Sequence, residues 1–598
     1  MRVADYIFER LHEAGVNHVF MVTGRGALFL TDAVAKHPGI TGVCVHHEQS
    51  AAFCAVAYSD TNNKIAACLV STGCASTNAM TGVLNAWQDG IPCVFISGQN
   101  TLAETTRYSG KALRTFGQQE ADIVALVSPI TKYATMISDP ESIGFELDKA
   151  LFLSQDKRKG PVWIDVPLDI QNMRVNPESL SRYSDSSGEG EKLRRTDLEY
   201  VVESLKASER PVVLIGSGVR SAAAEKLLES FIETTQIPVV YSPSAPDVYG
   251  TEYSLSIGSV GIMGCSRAGN FALQNSDLLL VLGNRLSPMT TGSDYCKFAR
   301  EAKVIVVDID EIEHTKNTVE IDKLINSDIN IFLSELLSKN IKVTGESWKK
   351  KCLNWKRIFP KCEDQFKHES LIDIYHLTDT LSRSVKDNSL IVTDSGLTEL
   401  ILPSNFNFRK GMRCIHPVSQ GSMGYAIPAA IGAYYANENS LEKRSVIVVV
   451  GDGSIMMNLQ ELETIRHNKL KIKIIVVSNN LYAVIRKRQK DMFRKRTIGT
   501  DQSNGISCPD FDKVAATFGL AYMKISCVTE LEEKLTEFIE SDEATLCEIV
   551  SPENQDYIAI AHARTKEHGF VRRPLEDQAP FLDRELFLSE MIVKPIDQ

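Results

Sequence analysis

Two short motifs place polar side chains at the ends of apolar runs in the last third of the chain. The sequence GDGS, residues 451–454, follows SVIVVV, and SNN, residues 478–480, follows KIKIIVV. Because the carboxyl ends of neighbouring parallel strands meet at one edge of a sheet, we expect both motifs to lie together. A carboxylate and an amide oxygen suit Mg²⁺. The glycines and the next helix N-terminus would accommodate a diphosphate, although GDG alone is also typical of a structural turn.

A carboxylate in the first third has the setting of an acid–base residue. Glu48 lies in the sequence HHEQ, directly after the apolar run GVCV, and it opens an Ala-rich helical pattern. A carboxylate at this position caps and stabilises a helix N-terminus, which is the structural interpretation. The functional alternative is that it shares a proton with a bound ligand.

Three stretches of alternating apolar runs and helical patterns must position these residues. The runs HVFMVTG, PVVLIGSG and SVIVVVGDG, one from each stretch, predict buried parallel strands joined by right-handed crossovers. The sequence therefore predicts an α/β fold of three consecutive parallel-sheet domains. We place them at residues 1–180, 197–345 and 371–555, with a linker at 181–196, a connector at 346–370 and a C-terminal tail or lid, expected to carry no strong strand, at 556–598.

Composition excludes several classes of protein. The 598 residues are 43% hydrophobic and 24% charged, which is ordinary for globular proteins, and the net charge of −11 argues against nucleic-acid binding. No apolar run reaches the roughly 20 residues of a membrane helix. The acidic, amphipathic start MRVADYIFERLHEAGV does not resemble a signal peptide. Thirteen cysteines without CxxC spacing predict reduced thiols and a cytoplasmic location.

Taken together, GDGS, NN and HHEQ resemble the signature of the thiamine diphosphate-dependent decarboxylase and carboligase superfamily. The stretch QEADIV, residues 119–124, is similar to its acetolactate synthase-like members. The resemblance implies that Mg²⁺ is held by Asp452, Asn480 and the backbone carbonyl of Tyr482. It implies that Glu48 hydrogen-bonds the cofactor's aminopyrimidine ring and promotes loss of the thiazolium C2 proton, while Gln119 approaches the thiazolium. The other implied cofactor contacts are Gly24, Gly26, Ser395, Gly396, Leu397, Thr398, Gly421, Met423, Gly451, Gly453, Ser454, Tyr482 and Ile485.

The central domain resembles a dinucleotide-binding domain. Gly216 and Gly218 follow the strand VVLI in a glycine turn. Further candidate residues stand in the order found in FAD-binding relatives, and they are Arg158, Gly261, Gly283, Arg285 and Asp308. These positions imply FAD as a third cofactor. A central domain that has lost its nucleotide and an ADP-like ligand stay open as alternatives.

The resemblance also implies a reaction, in which a 2-oxo acid such as pyruvate is decarboxylated and its acyl unit joins a carbonyl acceptor. Met289 stands where acetolactate synthases have an arginine for the acceptor carboxylate, and a thioether cannot replace it. Gln489 stands where they have the tryptophan that favours 2-oxobutanoate. We therefore expect a neutral acceptor to outcompete a second pyruvate. His416 is either a substrate contact or a structural loop histidine.

Other interpretations stay open. The segments 479–486 and 573–577 resemble a subgroup linked to surface-polysaccharide sugars. Acyl transfer to a nucleotide-linked keto sugar is one alternative reaction, which the loss of the acceptor arginine at Met289 favours. Simple decarboxylation is another candidate, and a non-catalytic nucleotide-binding regulator is a third, disfavoured because Glu48, Asp452 and Asn480 are retained. The family places Glu48 and the diphosphate loop on different subunits, which implies a homodimer at least and a homotetramer as the expected assembly.

Overall fold

The chain folds around three six-stranded parallel sheets. The computed structural model describes residues 1–185, 193–343, 345–367, 370–438, 443–565 and 569–596. The fold class predicted from the sequence is confirmed. None of the helices in the described ranges is both long and apolar enough to cross a lipid bilayer.

The first sheet has the strand order β2-β1-β3-β4-β6-β5. Its strands are β1 (His18–Met21), β2 (Thr41–Cys44), β3 (Ala66–Val70), β4 (Cys93–Gln99), β5 (Tyr133–Met136) and β6 (Val162–Pro167). Its main helices are Val3–Glu13, Leu28–Lys36, Glu48–Asn62, Met80–Asp89 and Ile143–Gln155, with short helices at Cys74–Asn78, Thr106–Ser109, Ile123–Val127 and Leu168–Asn172. Every residue of β3, β4 and β6 is buried, because helices cover both faces of this sheet.

The central sheet has the order β12-β11-β10-β7-β8-β9. Its strands are β7 (Pro211–Ile215), β8 (Val239–Tyr241), β9 (Ser256–Ser259), β10 (Leu278–Leu282), β11 (Lys303–Asp308) and β12 (Lys323–Asn326). Its helices are Arg195–Ala207, Gly218–Ser221, Glu225–Thr235, Arg267–Gln274, Pro288–Thr291 and Ile329–Leu337. The chain reverses direction across the sheet between β7 and β10. This is the doubly wound order whose reversal point forms a ligand-binding crevice.

The third sheet has the order β14-β13-β15-β16-β18-β17, which matches the first sheet strand for strand. Its strands are β13 (Leu390–Thr393), β14 (Arg413–Ile415), β15 (Val446–Gly451), β16 (Ile472–Ser478), β17 (Ala521–Ile525) and β18 (Thr545–Val550). Its helices are Ile374–Ser384, Leu397–Asn405, Ala426–Ala436, Asp452–Ile455, Glu461–His467, Ala483–Met492, Phe511–Thr517 and Leu531–Glu540.

The first and third units share one hydrophobic core. Helices Glu48–Asn62 and Ala426–Ala436 cross at this interface and are almost entirely buried. Small side chains allow the close approach: a Cβ on Gly432 would lie 2.1 Å from the carbonyl oxygen of Cys54. The two sheets are thereby held in a fixed relation by direct packing.

The connecting segments pack on the central unit. Of the predicted linker, 181–185 and 193–194 lack regular structure, 186–192 lie outside the described residues, and a helix starts at Arg195. Helix Glu346–Ile358 buries Trp348 and Trp355. The C-terminal segment differs from expectation, since it forms the short strands Ala559–Ile560, His562–Thr565, Gly569–Arg572 and Gln578–Ala579 and the helix Arg584–Glu590. Phe587 of that helix joins the central core, so tertiary contacts stabilise strands too short to show a pattern.

Candidate active site

A cavity of about 1070 Å³ lies where the three units meet. Residues 395–400, 418–421, 451–454 and 481–485 of the third unit line one side of it. These segments follow the carboxyl ends of β13, β14, β15 and β16. Residues of the central unit line the opposite side. The cavity therefore occupies the edge at which open α/β sheets bind ligands.

The GDGS and NN motifs meet at this edge. One carboxylate oxygen of Asp452 accepts the backbone N–H groups of Asn479 at 2.9 Å and Asn480 at 2.6 Å, and the other accepts that of Gly453 at 2.8 Å. Asn480 has a left-handed backbone with φ +57°, and its side chain is exposed. Glycine at 453 permits the close approach of the Tyr482 ring, since a Cβ there would lie 1.9 Å from it.

The chemistry of this position suits a hard cation. Burial raises the pKa of Asp452 above its usual value, although the backbone N–H groups oppose that shift, and a bound cation would favour the ionised carboxylate. The described ranges contain no group of three or more His, Cys, Asp or Glu side chains spaced to hold a metal. A cation here would therefore take the Asn480 amide and the Tyr482 carbonyl as oxygen ligands beside one carboxylate.

A second carboxylate, that of Asp394, forms hydrogen bonds that connect the loops around the cavity. Asp394 is fully buried, and one of its oxygens accepts from the Ser454 hydroxyl at 2.7 Å and from the Gly424 N–H at 3.1 Å. Burial raises the pKa of Asp394 to about 7. The contacts join the end of β13 to the GDGS loop and to the segment that carries Gly421 and Met423. The sequence resemblance pointed to residues 395–398 as cofactor contacts and gave no sign of this linking role of Asp394.

The loop after β13 presents a helix N-terminus to the cavity. Gly396 has φ +92°, and no atom lies within 4 Å of where its Cβ would be. Helix Leu397–Asn405 begins directly after it, and Ser395, Leu397 and Thr398 all line the cavity. Free N–H groups and the helix dipole at this end favour an anionic group.

Other predicted residues lie on a separate face of the first unit, here called the Glu48 face. It comprises the predicted residues Gly24, Gly26, Glu48 and Gln119, together with Asn78, which the structure adds, and it surrounds the carboxyl edge of the first sheet. The Asn78 amide donates to the Glu48 carboxylate at 2.9 Å, and the Gly26 N–H donates to the Ser71 hydroxyl at 3.1 Å. A Cβ on Gly73 would lie 1.6 Å from the Gln119 carbonyl oxygen. None of the five lines the cavity, so one chain holds two separate groups of site residues.

Five of the seven residues predicted for the FAD site line the cavity, and these are Arg158 from the first unit and Gly218, Gly283, Arg285 and Asp308 from the central unit. Gly216 and Gly261 do not line it. A Cβ on Gly216 would lie 2.2 Å from the Gly283 carbonyl oxygen, so that glycine permits close packing of the β7 and β10 ends. Arg158 pairs with Asp310 at 2.9 Å and with Glu313 at 2.8 Å.

Met289 and Gln489, the two positions at which the sequence was interpreted as differing from acetolactate synthases, have different surroundings. Met289 lines the cavity, and 42% of its surface is exposed. The Gln489 side chain instead accepts the Ile498 N–H at 2.8 Å and donates to the Ile498 carbonyl at 3.2 Å. Gln489 does not line the cavity. Its amide therefore fixes the chain after helix Ala483–Met492 and is not directed at a ligand.

Two partly buried acids that line the cavity, Asp89 and Glu399, were not predicted from the sequence. Asp89 ends helix Met80–Asp89 and accepts the Ser419 N–H at 3.1 Å, and burial raises its pKa to about 6. Glu399 lies in helix Leu397–Asn405, 3.8 Å from the His416 ring. Neither belongs to a recognisable motif, because their proximity arises from packing between units.

Comparison with known protein families agrees with this architecture. Residues 1–126 match the thiamine pyrophosphate enzyme N-terminal TPP binding domain, residues 198–336 match the central domain, and residues 394–549 match the C-terminal TPP binding domain. Thiamine pyrophosphate is the same compound as thiamine diphosphate. One match falls on each of the three units, with the first match ending before β5 and the third beginning directly after β13, so that a thiamine pyrophosphate binding domain is matched on each side of the shared core.

Individual relatives cover almost the whole chain. The acetolactate synthase isozyme 3 large subunit of Escherichia coli is 30% identical over 552 residues, which is 90% of this chain and 92% of the relative. The acetolactate synthase large subunit of Lactococcus lactis is 29% identical over 566 residues, 94% of each chain. That of Haemophilus influenzae is 28% identical over 542 residues, 89% of this chain and 91% of the relative. With three matched domains and full-length relatives, the chain belongs to the thiamine diphosphate-dependent, acetolactate synthase-like family of enzymes.

Proposed function

We propose that this enzyme decarboxylates a 2-oxo acid, pyruvate, and joins the acyl unit to a carbonyl acceptor. The observation that carries the proposal is the meeting of the GDGS and NN motifs: Asp452, which lines the cavity, accepts the backbone N–H of Asn480 at 2.6 Å, while Asn480 itself lies just behind the cavity wall formed by Asn479, Leu481 and Tyr482. That arrangement is suited to a cation and a diphosphate. The full-length relatives named acetolactate synthase support carboligation over simple decarboxylation.

The third unit holds the cofactor's charged end in this proposal. Asp452, Asn480 and the Tyr482 carbonyl bind Mg²⁺, while Gly451, Gly453 and Ser454 and the N-terminus of helix Leu397–Asn405 bind the diphosphate. Gly421, Met423 and Ile485 border the rest of the cofactor. When bound, thiamine diphosphate supplies an electron sink at the carbonyl carbon of the substrate.

Glu48 holds the proton that activates the cofactor. The Glu48 face does not line the cavity of its own chain, which supports its being supplied by a second copy. We therefore propose a homodimer as the minimal active form, with a homotetramer as the assembly that the family resemblance implies. Gln119, on the same face, would meet the reacting end of the partner's cofactor.

The central unit is proposed to bind FAD. Its doubly wound strand order, together with Gly218, Gly283 and Asp308 at the cavity wall, supports a nucleotide at the reversal point. Arg158 and Arg285 border the same space. The flavin would undergo no net redox change, since decarboxylation and carboligation transfer no electrons to it.

The compartment is proposed to be the cytoplasm. All thirteen cysteines are free thiols, and several are fully buried. A chain that folds with this many unpaired thiols suits a reducing environment.

The proposal is tested with purified protein, thiamine diphosphate, Mg²⁺ and pyruvate, by measuring CO₂ release and identifying products by mass. Ligated product should form when a carbonyl acceptor is added, and the protein should be yellow from bound FAD. Absence of CO₂ release from pyruvate and from longer 2-oxo acids would contradict the proposed reaction. A colourless protein that takes up no FAD, yet forms product, would contradict the flavin alone.

A further inference from the structure

The cavity contains a polar cluster that the cofactor contacts described above do not use. It comprises Asp89, Glu399 and His416, here called the His416 cluster, and all three line the cavity. Asp89 belongs to the first unit and the other two to the third. The His416 side chain is only 3% exposed. A buried polar group without a partner is costly, so such a cluster needs a structural or a chemical reason.

The hydrogen-bond pattern distinguishes the two nitrogens of the His416 ring. Nε2 lies 3.0 Å from the carbonyl oxygen of Pro243, in the central unit. Because a carbonyl can only accept, Nε2 carries a proton. Nδ1 is buried and has no hydrogen-bond partner among the described residues. The Glu399 carboxylate, at 3.8 Å, is too far for a direct hydrogen bond to it. Nδ1 is therefore the ring atom available to a ligand.

The charges around the ring favour its protonated form. Burial alone would lower the pKa of His416, but the Glu399 carboxylate, the Pro243 carbonyl and Asp89 outweigh it, so that the pKa is raised above its usual value. Glu399 and Asp89 are the charged groups that act on it, from the third and first units. A protonated Nδ1 has the Glu399 carboxylate as an ion-pair neighbour at 3.8 Å but no hydrogen-bond acceptor among the described residues, so it can donate to a group bound in the cavity.

The location links this donor to the acceptor substrate. His416 follows β14, and the same loop continues to Ser419, whose hydroxyl accepts from Arg285 at 3.2 Å. Arg285 and Met289 line the same cavity, in the central segment where the family resemblance places the acceptor. Glu399 also borders Gly421, since a Cβ there would lie 3.5 Å from its carboxylate. The cluster thus lies between the cofactor loops and the acceptor region.

We propose that His416 is a catalytic acid that protonates the oxygen of the acceptor carbonyl. The inference rests on the carboligation proposed above. When the acyl unit bonds to the acceptor carbon, the C=O bond becomes a C–O⁻ alkoxide, and this oxygen takes the proton from Nδ1. The ring is left neutral, with its proton on Nε2. Decarboxylation with ligation consumes one proton overall, which the ring recovers from solvent. Glu399 is a positioning residue that stabilises the imidazolium.

The test separates the two half-reactions. His416→Gln keeps an amide able to reach Pro243 but removes the Nδ1 donor. Ligated product should fall by about 10²-fold, the usual contribution of a general acid. Decarboxylation of pyruvate with ferricyanide as electron acceptor needs no carbonyl acceptor, and it should retain most of the wild-type rate. His467→Gln, on an exposed position at the end of helix Glu461–His467, is the matched control.

Glu399→Gln provides an independent readout. Because a protonated His416 is required, ligation declines as pH rises through its pKa. Removing the Glu399 charge lowers that pKa and should move the alkaline limb of the ligation profile to lower pH, with no matching shift in the ferricyanide assay.

Three outcomes decide the matter. Unchanged ligation in His416→Gln would overturn the inference. If His416→Gln lowered the rates of ligation and of ferricyanide-coupled decarboxylation equally, without changing thermal unfolding, the inference would also be overturned. His416 would then act in cofactor binding. Wild-type protein that releases no CO₂ from any 2-oxo acid would instead show that the proposed function itself has failed.

Discussion

The first and third units have the same strand order, but their carboxyl edges are built differently. In the third unit the key carboxylates, Asp394 and Asp452, are 0% and 2% exposed, and backbone N–H groups surround them. In the first unit Glu48 is half-buried, while Asn78 and Gln119 are exposed. One topology thus supports an enclosed cradle for an anion and, on the other side of the shared core, an open face.

The difference shows that strand order does not assign chemistry. The chemical role of each edge depends on the residues that follow its strands and on how deeply those residues are buried. Buried carboxylates in the third unit need a cation or a proton as partner, which suits cofactor anchoring. The open Glu48 face has no such cavity in its own chain, which suits a site completed by a second copy. The predictions below test this division.

The largest effect is expected from Asp452→Ala. Losing both an oxygen ligand and its charge should weaken Mg²⁺-dependent binding of thiamine diphosphate by more than about 100-fold. Calorimetric titration with and without Mg²⁺ measures it, and Asp512→Ala, on the exposed side of helix Phe511–Thr517, is the control. Unchanged affinity would place the cation elsewhere.

Glu48→Gln should separate binding from activation. Cofactor affinity should stay close to wild type, because the side chain lies outside the diphosphate cradle. Exchange of the C2 proton, followed by NMR, should slow by about 10²-fold or more, since an amide cannot share a proton. Glu203→Gln, on an exposed position of helix Arg195–Ala207, is the control. A normal exchange rate would remove Glu48 from the mechanism.

Met289→Arg should change acceptor choice. An arginine at the cavity wall can form a charge-assisted hydrogen bond to an acceptor carboxylate. This bond should raise the rate of acetolactate formation from pyruvate alone by roughly ten- to hundredfold. In the wild type a neutral ketone should outcompete a second pyruvate. Product ratios at equal acceptor concentration measure both effects, and Met289→Leu is the uncharged control. Dominant acetolactate in the wild type, with no gain in the variant, would contradict the expectation.

The smallest effect, and the sharpest test of the two faces, comes from mixing inactive variants. If each site combines Glu48 of one chain with Asp452 of another, randomly paired Glu48→Gln and Asp452→Ala chains should regain about a quarter of the wild-type sites. Co-expression with two affinity tags isolates the mixed dimers, in which one of the two sites, about half of the wild-type number, should be active. Failure of purified mixed dimers to recover activity would indicate that each site lies within one chain.

Much of this arrangement was predictable because it depends on local pattern. Buried parallel strands are continuous apolar runs, so the three sheets were visible in runs such as SVIVVV. Strand ends are marked by glycine and short polar residues, so GDGS and NN could be located, and the order of strand, motif and helix placed Glu48 at a helix start. The short strands that begin at Ala559 were not predicted, because a run of two to four residues is too short to show an alternation of apolar and polar side chains.

Sequence by itself therefore determined the fold class, the family and the positions of the chemical groups. Tertiary structure alone decided which of those groups meet. In the folded chain Asp394 is buried and accepts a hydrogen bond from Ser454, and the Gln489 amide bonds to Ile498. Asp89 and Glu399 lie close enough to His416 to raise its pKa. These contacts join residues far apart in the chain, and no periodicity records them, because they arise only when three separately patterned units pack around one cavity.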